Sequence, residues 1–169
     1  MPSIEVRTHI ACPPELVFDL LLDLGERVRD IETSGTNGRL VAVTPMSRTL
    51  RLGSQVTWHQ RHFRKWWSVT SQVTEYDRPL RYVDEQVAGP MKWFRHEHLF
   101  IPTDTGVEMI DHVDFRCRYG PIGSVFERAG VTGYVRRLVE GQARHVKRLA
   151  EARWRAHLRA PVEAERRIA

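Results

Sequence analysis

Two imidazoles stand two residues apart in the stretch GPMKWFRHEHLF, residues 89–100. A strand alternates its side chains between two faces, so His96 and His98 share a face with Lys92, Phe94 and Phe100. Arg95 and Glu97 take the opposite face, because unpaired charges are costly inside. On the next strand Met109, Asp111, Val113, Phe115 and Cys117 share a face, and Asp111 is its one carboxylate. The turn PTDTG, centred near Asp104 and Thr105, folds the two strands antiparallel and sets His98 close to opposite Asp111. An inward Asp beside an inward His is a charge-assisted pair. The carboxylate orients the imidazole and raises its pKa, while desolvation opposes that rise. Such a pair can move protons on a bound molecule, anchor a polar group of a ligand, or hold a curved sheet together.

Other chemistries find less support. His96 and His98 could chelate a metal from one face, with His62 or Asp111 completing the set, but zinc wants three or four convergent ligands and no HExxH is present. No metal is expected. There is no GxGxxG and no GxxxxGK[ST], so no nucleotide cradle and no cofactor is expected. The two cysteines, Cys12 and Cys117, form no CxxC. Cys117 reads as a buried inert thiol.

These residues need a sheet to hold them. Ile4 to Ala11 alternates as a strand, with Ile4, Val6, Thr8 and Ile10 on one side. Pro13 and Pro14 end it and open the helix PELVFDLLLDL; residues 28–31 suggest a second short helix. Strands follow in series: 39–43, 54–62, 64–76, 80–87, 91–101 and 107–118. Short connections make this an antiparallel meander and not alternating strand-helix units. Trp58, Gln60 and His62 are placed inward, as are Trp67, Val69, Ser71 and Val73, then Tyr82. Asp84 and Gln86 have no assigned use. GPIG breaks the last strand, and its glycines read as a turn beside a cavity mouth. From Ser124 to Leu158 apolar residues fall at helical spacing: Val131, Val135, Leu138, Ala143, Val146, Ala150, Trp154 and Leu158.

Hydrophobic residues make up 41 % of the 169, which suits one domain with a substantial core. The formal charge is +5, but the positive excess concentrates on the last helix and reads as its solvated face. No nucleic-acid partner is expected. Arg136, Arg137, Arg144, Lys147 and Arg148 offer at most a weak contact with anionic headgroups. No stretch approaches a transmembrane span and no apolar leader opens the chain, so a soluble cytoplasmic protein with reduced thiols is expected. The oligomeric state is not legible.

The order of elements resembles the START-like, Bet v 1-like (SRPBCC) helix-grip superfamily over nearly the whole chain. PPELVFDLLLDL, TSQVTEYDRPLRYVDEQVAGPMKWFRHEHLF, MIDHVDFRCRYGPIGSVFE and RRLVEGQARHVKRLAE are similar to its bacterial polyketide cyclase/dehydrase branch. The resemblance implies an α+β fold: a curved seven-stranded antiparallel sheet wrapped around a long C-terminal helix, with two short helices after the first strand. Residues 1–160 form one ligand-binding domain and 161–169 a flexible tail. A small hydrophobic or aromatic molecule, such as a lipid or polyketide, would sit between sheet and helix. Trp58, His62, Trp67, Tyr82, Phe94, Met109, Val113 and Phe115 would line the sheet side, and Val131, Val135 and Leu138 the helix side. His96, His98 and Asp111 would supply the polar contacts. Alternatively they catalyse an aromatase/cyclase- or dehydratase-like reaction, with His98 moving protons, Asp111 orienting it and His96 holding a carbonyl oxygen. A lipid-transfer or non-catalytic partner module is the third reading. Fold alone does not choose among these.

Overall fold

A computed structural model describes residues 2–33, 38–62, 64–117 and 130–166. The element order is β1 (Ser3–Ile10), α1 (Pro14–Leu22), α2 (Leu24–Thr33), β2 (Arg39–Thr44), β3 (Gln55–His62), β4 (Lys65–Asp77), β5 (Arg81–Ala88), β6 (Met91–Thr103), β7 (Gly106–Cys117) and α3 (Thr132–Arg166). The seven strands form one antiparallel sheet in the order β1-β7-β6-β5-β4-β3-β2. The meander from β2 to β7 follows from its short turns, and β1 closes onto β7 as the far edge. This is the helix-grip architecture that the order of elements implies. The segment GPIG and the expected start of the last helix at Ser124 lie outside the described residues.

Proline at the first turn of α1 costs no hydrogen bond, because that N–H has no intrahelical partner. Val17, Phe18, Leu20, Leu21 and Leu22 are all buried, more than one stripe, because α1 is enclosed by α2, β6 and α3. Phe18 meets the rings of Tyr76, Tyr82 and Phe100 edge-on at centroid distances of 5.3, 5.7 and 5.5 Å. That contact fixes α1 over the concave face of β5 and β6.

The long helix α3 packs along β1 and α1. Its buried seam is Val135, Val139, Ala143, Val146 and Ala150. Leu138, expected on that seam, is half-buried, and Leu158 is exposed. The seam steps four residues from Val135 to Val139, so the stripe passes beside Leu138, and by Leu158 the helix has run beyond its packed partners. The helix also carries on through Pro161 to Arg166, past the expected start of the tail. A proline removes one backbone donor, and the Ala, Glu and Arg residues after it are strong helix formers.

Polar side chains of α3 satisfy the open edge of β1. Arg136 donates to the Glu5 carbonyl at 3.2 Å, Lys147 donates to the His9 carbonyl at 2.6 Å, and the Ala11 N–H donates to Glu151 at 3.2 Å. An uncovered strand edge invites pairing with another chain, and these contacts cover it. Glu26 on α2 is buried and receives Arg29 and Arg153, which ties α2 to α3. Neither Cys12 nor Cys117 is in a disulfide.

Among the described residues the interior has two apolar clusters. The larger joins α1, the inner face of β3 to β7 and the second half of the α3 seam; it contains Trp58, Tyr82, Phe100 and Met109. The smaller joins Ile4, Val113, Phe115, Val135 and Val139, with Phe94 and Val131 packed against it.

Candidate functional site

On β6 the inner face reads Phe94, His96, His98, Phe100. Phe94 belongs to the smaller apolar cluster and Phe100 to the larger. On β7 Asp111 likewise separates Met109 from Val113. The polar residues therefore form the boundary between the two apolar clusters.

Register assembles them from three adjacent strands. His98 pairs with Asp111 of β7, as the turn PTDTG implies, and with Tyr82 of β5. His96 pairs with Asp84 of β5. His96, His98, Asp84 and Asp111 are all more than nine-tenths buried. The His96 Nε2 is hydrogen-bonded to Asp111 Oδ1 at 3.1 Å. The His98 Nδ1 lies 2.7 Å from the same oxygen, and its Nε2 lies 3.4 Å from Asp84 Oδ1. Neither His98 approach is a formed hydrogen bond, and both are ionic contacts. The two imidazoles stack on each other at 3.8 Å, and Tyr82 stacks on His98 at 4.2 Å. The Tyr82 hydroxyl is buried with no hydrogen-bond partner.

Burial and charge pull these groups in different directions. Burial works against the ionised form of Asp84, but His98, Arg27 and His96 overcome it and hold the carboxyl down at about 2. Asp111 is held well below the usual carboxylate range by His96 and His98 against the same burial. Burial would lower His98, yet the two flanking carboxylates raise it. His96 is lowered, by burial first and then by its neighbour His98, with Asp111 opposing. Burial pushes the Tyr82 phenol far up. Adjacent imidazoles thus have opposite tendencies, one toward the protonated and one toward the neutral form.

Of the expected lining residues, Trp58, Tyr82, Met109, Val113, Phe115 and Val135 are buried, while Trp67, Phe94, Val131 and Leu138 are half-buried. The side chain of His62 lies outside the described residues. His96, His98 and Asp111 come together. Asp84, left without a role by the sequence, joins them. Its signal was present: it stands two residues after the inward Tyr82 and so must share that face. Of the basic residues on α3, Arg136 and Lys147 are engaged with β1 and not presented as a free cationic surface.

Comparison with known proteins adds an identity to this geometry. Residues 1–151 match the family described as polyketide cyclase / dehydrase and lipid transport. The chain belongs to that family. No curated protein sequence matches significantly. Among solved structures, Zhui aromatase/cyclase from Streptomyces sp. R1128 is 17% identical with a TM-score of 0.71, covering 90% of this chain and 94% of that one. Ara h 8.0201 is 13% identical with a TM-score of 0.66 over 89% of this chain and 98% of that one. TTHA0849 from Thermus thermophilus is 17% identical with a TM-score of 0.64 over 86% and 97%. At these identities the likeness establishes the Bet v 1-like, SRPBCC fold. For a member of the polyketide cyclase / dehydrase and lipid transport family, family and fold together support ligand binding or a cyclase-like activity. No helix among the described residues is long and apolar enough to cross a membrane.

Proposed function

We propose that the protein binds a small hydrophobic or aromatic molecule between the inner sheet face and α3, with His96, His98 and Asp111 orienting its polar groups. The observation that carries this reading is the position of those three residues: a buried polar patch between two apolar clusters, on the face a helix-grip fold turns toward its ligand. An apolar body would rest against Trp58, Met109 and Phe115 on the sheet and Val131 and Val135 on the helix. A phenol or carbonyl oxygen would meet His98 or His96. The test is native mass spectrometry of freshly purified chain, followed by titration with planar aromatic phenols and fatty acids read by tryptophan fluorescence. A stoichiometric co-purified lipid or aromatic, or saturable one-to-one quenching, supports the reading. Failure of every probe to saturate, with no co-purified molecule, removes it.

One observation favours a second reading, an aromatase/cyclase- or dehydratase-like enzyme. His98 sits between two carboxylates and tends toward imidazolium, while His96 beside it tends toward the neutral base. A proton donor and an acceptor side by side suit enolisation and loss of water from a polyketide. The Zhui aromatase/cyclase shares the fold. His98→Leu and Asp111→Leu would then abolish turnover of a confirmed substrate while leaving binding in place. Normal turnover by both variants would exclude catalysis by His98 and Asp111.

A further inference from the structure

We propose that Asp84, His96 and His98 form a binding site for one divalent transition cation of the zinc type, with Asp111 positioning both imidazoles. Each of the three offers a ligand atom, and those atoms lie within 4.8 Å of one another. The separation of 3.4 Å between His98 Nε2 and Asp84 Oδ1 matches the edge of a tetrahedron with bonds of about 2.0–2.1 Å, which is about 3.3–3.4 Å. The strand supplies the chelate: residues two apart on β6 share a face, and Asp84 stands directly across from His96.

A second, independent observation points to a ligand. Asp84 Oδ1 and both ring nitrogens of His98 are buried without a hydrogen-bond partner among protein groups. Buried polar atoms are almost always satisfied, and Asp84 Oδ1 and His98 Nε2, 3.4 Å apart, are two that are not. A cation bound to Asp84 Oδ1 and His98 Nε2 satisfies two of the three. The third, His98 Nδ1, has Asp111 Oδ1 2.7 Å away as an ionic contact. Asp111 takes His96 through Nε2 and faces Nδ1 of His98, which leaves the other nitrogen of each ring with a lone pair for a metal. A carboxylate behind each ligating histidine sets its tautomer and orientation. Charge agrees as well. With neutral imidazoles the two carboxylates carry two negative charges. No lysine or arginine lies within ion-pair distance of either among the described residues, and a divalent cation balances them. Two imidazoles and one carboxylate select a borderline cation over magnesium or calcium. Three protein ligands leave a coordination position open toward the inner face of the sheet, where a hydroxyl or carbonyl oxygen could enter.

The inference does not depend on the ligand reading, because its test uses the metal alone. The full chain without an affinity tag is stripped with chelator and titrated with Zn2+ by calorimetry, then with Co2+ by visible absorption. The expected result is one equivalent bound at micromolar Kd or tighter. The Co2+ form should show the intense d–d bands of a four- or five-coordinate site and no thiolate charge-transfer band. Asp84→Asn and His98→Gln should each weaken Zn2+ by at least tenfold. Asp111→Asn should weaken it by about 10- to 100-fold as a positioning residue, and Cys117→Ser should leave it unchanged. Affinity weaker than millimolar, a pale six-coordinate Co2+ spectrum, or unaltered binding by the first two variants overturns the site. If a variant fails to fold, judged by near-UV circular dichroism, the Co2+ spectrum of the unsubstituted chain still decides.

Discussion

Asp111 holds two imidazoles at once, so its removal affects more than one contact. In Asp111→Ala, buried His98 retains only Asp84, and the Nε2 of His96 loses its acceptor. Breaking a buried charged pair by deleting one member costs about 3–5 kcal/mol. Urea unfolding should show a loss in that range for Asp111→Ala. Glu108→Ala, on the other face of β7, should change stability by no more than about 1 kcal/mol. Equal effects of the two substitutions would mean that the buried quartet contributes nothing specific. Gly106 carries a different kind of constraint. Its φ is +145°, and a Cβ there would stand 2.2 Å from the Ile10 carbonyl and 2.9 Å from the Ala11 Cα, both backbone atoms. Gly106→Ala should therefore destabilise by about 2–4 kcal/mol, from strain and from displacing the end of β1. A midpoint unchanged in urea would refute that. At this scale the sequence was informative where periodicity was clean. His96, His98 and Asp111 lie on unbroken alternation, and the turn at Asp104 and Thr105 between their strands sets the register. Asp84 was harder to place. β4, its neighbour, carries irregularities between Thr70 and Ser71 and between Val73 and Glu75, which blur the phase of that hairpin.

At the scale of elements, the outer face of the sheet is built differently from the expected solvent face. Val83 is fully buried there, paired with Glu75 on one side and Glu97 on the other. Arg81 bridges Glu75 and Glu97, and Arg95 reaches both as well. Arginine stems cover apolar surface while their heads pair, so alternating charges on a strand do not by themselves mean an open face. Burial tends to raise Glu97, but the hydrogen bonds from Arg81 and Arg95 bring its pKa below the ordinary value. A carboxyl lowered on folding stabilises the folded state above its unfolded pKa, and that gain is lost as pH falls through the folded pKa. Glu97→Gln should cost about 1 kcal/mol at neutral pH. Its unfolding free energy should converge with that of the unsubstituted chain in acid, where Glu97 is itself neutral. A difference that persists unchanged at the acid end would assign the effect to shape and not charge. The contacts of α3 to β1 give the second element-scale expectation. Arg136→Ala with Lys147→Ala frees two edge carbonyls, and sedimentation should then detect self-association absent from the parent chain. These two residues looked like part of a solvated stripe, because helical periodicity shows which residues leave the core but not which reach a neighbouring strand edge.

For the molecule as a whole, the architecture was legible from the order of elements, since a meander with one apolar face needs a cover and only the last helix is long enough to provide it. What periodicity could not supply was how closely the cover sits. The helix packs along β1 and α1, at one side of the sheet, and the quartet on β5 to β7 lies on the inner face between two apolar clusters. If a hydrophobic molecule binds there, it bridges sheet and helix, and its binding energy adds to folding stability. Ligand at a hundred times its Kd contributes about 2.7 kcal/mol, which for a domain of this size raises Tm by roughly 3–6 °C. Half-buried Leu138 and exposed Leu158 separate this effect from nonspecific binding to the helix. Leu138→Trp fills space on the proposed lining and should abolish the shift produced by a saturating aromatic probe. Leu158→Trp should retain it. Differential scanning fluorimetry with and without probe reads both. A shift retained in Leu138→Trp and lost in Leu158→Trp would place the ligand on the outer half of α3, away from His98, and would separate the apolar binding surface from the buried quartet.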